Sequence, residues 1–112
     1  MKLLVVDADL LALERIRSYA EQLGHEVDTA KSGGLVAALL ERSPELVVID
    51  LDRGGTTVLE ALVTARSAGT VPDRVVGFYS HVAPEVAEAA EAAGCRALPR
   101  GRFFRTLGEL FD

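Results

Sequence analysis

The chain alternates between two hydrophobic rhythms. Short apolar runs rich in branched residues stand at 3–6, 26–30, 46–51, 74–78 and 96–98, and bounded runs of this kind predict strands. Between them apolar residues recur at helical steps. Leu13, Ile16, Ala20 and Leu23 would share one face of a first helix. Further helices are predicted over about 33–42, 58–68 and 84–93, with a short last one over 103–111 interrupted by Gly108. The punctuation agrees. Asp9 can cap the first helix, Pro84 suits a first helical turn, and Gly24, Gly69 and Gly94 each follow a helical stretch.

Five strands alternating with five helices specify an α/β domain with a parallel sheet. The first and third runs are apolar on consecutive residues and should be central, covered on both faces. The second, Glu26–Ala30, is more polar and suits an edge. That pattern favours a flavodoxin-like three-layer sandwich, a five-stranded sheet in the order 2-1-3-4-5 with helices on both faces. Its ligand site would lie at the carboxyl ends of the first and third strands.

Four carboxylates fall at that edge: Asp7 and Asp9 after the first strand, Asp50 and Asp52 at the end of the third. Each pair has a spacing of two, so its side chains point the same way if the chain stays extended. Crowded carboxylates repel, and a hard cation such as Mg²⁺ relieves that repulsion. Asp9 has a competing use as a helix cap, and Asp52 as a solvated loop residue.

Composition narrows the function classes. One hundred and twelve residues make a single domain, 1–112, with no linker or repeat and no effector domain expected. Seventeen acids against twelve bases give a net charge of −5, which counts against nucleic-acid binding. No apolar run approaches the roughly 20 residues of a membrane span, and no secretory signal precedes the first strand, so a soluble, cytoplasmic protein is expected. A single cysteine, Cys95, excludes an internal disulfide. Gly33-Gly34 and Gly54-Gly55 lack the lysine of a phosphate loop.

Over essentially its whole length the chain resembles a response-regulator receiver domain of two-component signalling. Leu3-Leu4-Val5-Val6-Asp7 is similar to that family's first strand with its acidic end, and Glu45-Leu46-Val47-Val48-Ile49-Asp50-Leu51 to the strand carrying the phosphoaccepting aspartate. Val75-Val76-Gly77-Phe78-Tyr79-Ser80 resembles the fourth strand with its hydroxyl residue, and Leu98-Pro99-Arg100 the approach to the family's lysine. The resemblance implies Asp50 as phosphoacceptor, Ser80 and Arg100 as phosphoryl-binding residues, and Asp7, Asp50 and Asp52 as ligands of a weakly held Mg²⁺. It implies a sensor histidine kinase or another signalling protein as partner, and a homodimer or docking face built from the fourth helix, fifth strand and last helix. No activity as an enzyme, no nucleic acid and no membrane are implied.

The departures from the family pattern bear on function. Ala8 stands where a second acid is usual, Ala97 where a switch aromatic is usual, and Gly54 and Thr57 replace a loop proline and aspartate. Arg100 replaces a compact ammonium, and the two are not interchangeable at a tight site. Gly101 follows it in place of a proline, so that peptide should be trans. These changes tilt the expectation towards an atypical receiver that binds partners constitutively. The alternative, from another class, is a small phosphatase or hydrolase using the Asp7/Asp50 pair.

Overall fold

A computed structural model describes residues 1–111. Its elements in chain order are β1 (Lys2–Val6), α1 (Leu10–Gln22), β2 (Glu26–Ala30), α2 (Leu35–Arg42), β3 (Leu46–Asp50) and α3 (Leu51–Ser67). There follow β4 (Arg74–Tyr79), α4 (Pro84–Ala92), β5 (Arg96–Pro99), α5 (Arg100–Arg105) and α6 (Leu107–Leu110). A 3₁₀ turn over Ser32–Gly34 leads into α2. The strands form one parallel sheet in the order β2-β1-β3-β4-β5, as the hydrophobic pattern predicts.

The three layers follow from the two-residue period of a strand. Leu4, Val6, Val47, Ile49 and Val75 point to one face and pack against α2, α3 and α4 through Leu35, Leu39, Leu62 and Ala90. Leu3, Val5, Leu46, Val48, Val76 and Phe78 point to the other and meet Ile16 of α1 and Phe103 of α5. Every residue of β3 is buried, and each large aliphatic side chain so buried stabilises the fold by about 1.5–3 kcal/mol. The polar β2 lies at an edge, where one flank meets water.

Three expectations move. The buried stripe of α1 is Ala12, Ile16 and Ala20, while Leu23 is half exposed because the helix ends at Gln22 and Leu23 is its C-cap. Asp50 caps a helical turn that begins at Leu51, directly after β3; Gly55, with φ 52° and ψ −140°, kinks the chain there, and the longer part of α3 follows it as far as Ser67. The last helix divides at Thr106 instead of Gly108. The Thr106 hydroxyl donates to the carbonyls of Arg102 and Phe103 at 3.0 and 3.2 Å, and such local bonds compete with continued helix.

Gly77 sits in β4, closely packed against Leu51 and Cys95. A Cβ there would stand 2.8 Å from Leu51 Cδ1 and 2.9 Å from Cys95 Sγ, two fully buried groups. Gly77→Ala should therefore overpack this layer and cost about 1–3 kcal/mol. Urea unfolding checks this; an unchanged midpoint would show that Leu51 and Cys95 yield freely.

Candidate functional site

The site is built at the carboxyl ends of β1 and β3, which are adjacent and parallel. Asp50 ends β3 and is 1% exposed. Its Oδ1 accepts hydrogen bonds from the amides of Asp52 and Arg53 at 3.1 and 3.3 Å, as the N-cap of α3. Burial pushes its pKa above the ordinary 3.8, the charges of Asp52 and Asp9 push the same way, and the two amides oppose them.

Asp52 lies in the first turn of α3, so it leaves the line of β3 and reaches across to the loop after β4. There its Oδ2 accepts the Ser80 amide at 2.8 Å and its Oδ1 the His81 amide at 2.9 Å. One carboxylate thus bridges two consecutive peptide N–H groups. Ser80 itself is exposed.

Asp7 turns another way. Its φ of 60° is in the left-handed region, which aspartate tolerates better than most residues. The turn directs its carboxylate towards the start of α2, where it accepts the Ser32 amide at 3.2 Å and the Ser32 hydroxyl. Gly54 leaves it room: a Cβ at that position would stand 3.1 Å from Asp7 Oδ2 and 2.7 Å from Val58 Cγ1. Asp9 caps α1 through the Ala12 amide at 2.8 Å and pairs with Arg100 at 3.2 Å. The Ala12 bond chiefly lowers its pKa; burial opposes this, and Arg100 and Arg53 add to the lowering.

The expected metal ligands Asp7, Asp50 and Asp52 are therefore directed to separate partners. The extended geometry on which their convergence rested fails at both ends, through the left-handed turn at Asp7 and the helix that begins straight after Asp50. Among the described residues no three acids, histidines or cysteines converge as a metal group. A cavity of about 400 Å³ beside Asp7 and Ala8 is lined by Lys31 and Arg53 as well, and their positive charges oppose a cation there. The residues present do not fit Mg²⁺.

Arg100 reaches Asp9 and lies over the rings of Phe78 and Phe104, 5.4 and 5.6 Å from their centroids. Its recorded ion pair is with Asp9, at the rim of the acidic site, and none is with Asp50. The peptide before Gly101 is trans. His25 ties the ends of the chain, its Nδ1 lying 2.7 Å from the Met1 amine and its Nε2 2.7 Å from the Phe111 carbonyl oxygen. Cys95 is buried, and burial followed by the Glu91 charge pushes its thiol up to about 12. Sequence reasoning missed Ser32 as the partner of Asp7. A small hydroxyl residue just after β2, beside the end of β1 in a 2-1-3 order, is the signal that pointed to it.

No family model matches the chain, and no curated protein sequence matches it. Solved structures do. A Francisella response regulator receiver domain superposes with a TM-score of 0.73 at 15% identity, covering 98% of this chain and 95% of its own. The chemotaxis response regulator CheY4 of Vibrio cholerae gives 0.74 at 17% identity, with 97% of each chain covered. A response regulator from Thermotoga maritima gives 0.75 at 15% identity, covering 98% and 96%. The chain has the CheY-like, flavodoxin-like fold of response-regulator receiver domains. No helix among the described residues is long and apolar enough to cross a membrane.

A carboxyl whose folded-state pKa is raised contributes stability below its unfolded value, and loses that contribution as pH rises through the folded value. At neutral pH ionised Asp50 is therefore a cost. Asp50→Asn keeps an acceptor oxygen for the α3 amides and removes the charge, so it should stabilise the protein by about 1 kcal/mol at pH 7. The gain should shrink as pH falls through the folded pKa of Asp50, where the wild type becomes neutral. Melts of both proteins from pH 3 to 8 check this, and a variant less stable than wild type at pH 7 would contradict it.

Proposed function

We propose that this protein is a receiver-like signalling domain that works by binding other proteins, with no turnover of its own, and that Asp50 does not act as a phosphoacceptor. The observation that carries the reading is the Asp52 bridge to the Ser80 and His81 amides. Two consecutive amides facing one carboxylate make an anion-binding pair. In a receiver that loop, beside the acceptor aspartate, is where an incoming phosphoryl group would seek donors. Here a carboxylate of the chain already fills it, two residues from Asp50.

Three further features support the same reading. Asp50 is almost fully buried and uses its Oδ1 as a helix cap. Arg100 is engaged by Asp9 and by aromatic rings. The acids do not fit the metal that positions and neutralises a transferring phosphoryl group. The loop after β4 is then held in one arrangement by the chain itself, and the partner, a sensor kinase or another signalling protein, meets a constant surface. A hydrolase built on Asp7 and Asp50 has less support, because Asp7 is held by Ser32 and Asp50 is almost fully buried.

Intact-mass measurement after treatment with acetyl phosphate and Mg²⁺ tests the proposal, with Asp50→Ala as control. No phosphoryl mass gain is expected in either protein. A gain in wild type that disappears in Asp50→Ala would overturn it.

A further inference from the structure

Three arginines gather at the junction of α1, the end of β4 and α5. With Phe104, Gly101 and Ser80, the residues Arg15, Arg100 and Arg105 line a cleft of about 490 Å³ that has no carboxylate in its wall. This is unexpected in a chain of net charge −5. Among the described residues, Arg100 alone of the three has an ion pair, with Asp9 at 3.2 Å. Arg15 and Arg105 face the cleft without an acid to neutralise them.

The guanidiniums are also held in place. Arg15 Cζ lies 4.0 Å from the centroid of the Phe104 ring, and Arg100 Cζ lies 5.6 Å from the same centroid and 5.4 Å from that of Phe78. Phe78 is fully buried and stacks on buried Phe103 with centroids 4.8 Å apart; Phe103 in turn meets Phe104 edge-on at 5.0 Å. The ring platform is thus anchored in the core. A Cβ at Gly101 would come 3.4 Å from Arg105 Nη1, so that guanidinium lies back over the start of α5. A guanidinium resting on a ring keeps its in-plane N–H donors for other partners, and those donors match the oxygens of a phosphate in pairs.

We propose that this cleft is a non-covalent binding site for a small organic phosphate, a monoester carrying a dianionic group. Arg15 and Arg105 supply the uncompensated charge, Arg100 adds the N–H donors that Asp9 does not take, and Ser80 lies in the wall beside them. The volume lies within the range of about 300–1,000 Å³ typical of small-molecule sites, which leaves room for an organic body against Phe104 and Gly101 beside the phosphate. The cleft is lined by residues of α1, the loop after β4 and α5, and Asp50 is not among them. The proposal does not depend on whether Asp50 accepts a phosphoryl group.

The test is an NMR titration of the full chain at low salt with adenosine monophosphate, with adenosine, and with inorganic phosphate in parallel. Saturable shifts are expected at the amides of Arg15, Ser80 and residues 100–105 with adenosine monophosphate. Its affinity should exceed that of inorganic phosphate and of adenosine by about tenfold or more. Arg15→Gln and Arg105→Gln change exposed residues, so their folding can be verified by unchanged melts. Each should weaken binding by about tenfold, as expected for a lost hydrogen bond to a charged group, with Arg105→Lys retaining part of the affinity. Absence of saturable shifts, or affinities unchanged in both glutamine variants, would overturn the site. Equal affinity for phosphate and adenosine monophosphate would overturn its assignment to an organic ligand.

Discussion

A carboxyl group at the end of a fully buried strand is the constraint on which the acidic edge depends. β3 is covered on both faces, and its last residue, Asp50, is still inside. An ionisable group taken out of water needs compensation by hydrogen bonds or opposite charge. The chain supplies it by turning into α3 at once, so that the free amides of Asp52 and Arg53 face the carboxylate. That immediate turn has consequences beyond Asp50. It lifts Asp52 off the line of the strand and brings it to the loop after β4, and it sets Gly54 beneath the Asp7 carboxylate.

The four acids then share one solution to their mutual repulsion. Each is given local donors of its own: Asp7 the amide and hydroxyl of Ser32, Asp9 the Ala12 amide and Arg100, Asp50 two helix amides, and Asp52 two loop amides. Hydrogen bonds to charged acceptors contribute more than neutral ones. A bound cation would need several of these carboxylates to abandon such partners and converge. The Asp9–Arg100 pair is the weakest part of the arrangement, since about a third of each side chain is exposed and water screens it.

Much of the fold was legible because it rests on periodicity. The consecutive apolar residues of β1 and β3 against the polar β2 determine the strand order, and the Asp9 cap, the Pro84 start and the glycines closing helices all stand where predicted. The acidic edge was legible in its membership and less so in its geometry. A spacing of two implies a common direction only on extended backbone, and neither pair has it: Asp7 has a positive φ, and Asp50 is followed by helix. Nothing in the sequence separates an aspartate that ends a strand from one that also begins a helix. Arg100 was placed near the acids correctly, but its partner is Asp9, because the aromatic rings of Phe78 and Phe104 support it on that side.

The claim at the centre of this account is that Asp50 is a buried carboxyl served by backbone amides and independent of any metal. Measuring its side-chain carboxyl chemical shift by NMR across pH, with and without millimolar MgCl₂, tests that claim directly. The account predicts a titration above the ordinary 3.8 that is the same in both series. A titration below that value, or one that Mg²⁺ drives down, would contradict it and place a cation among the acids.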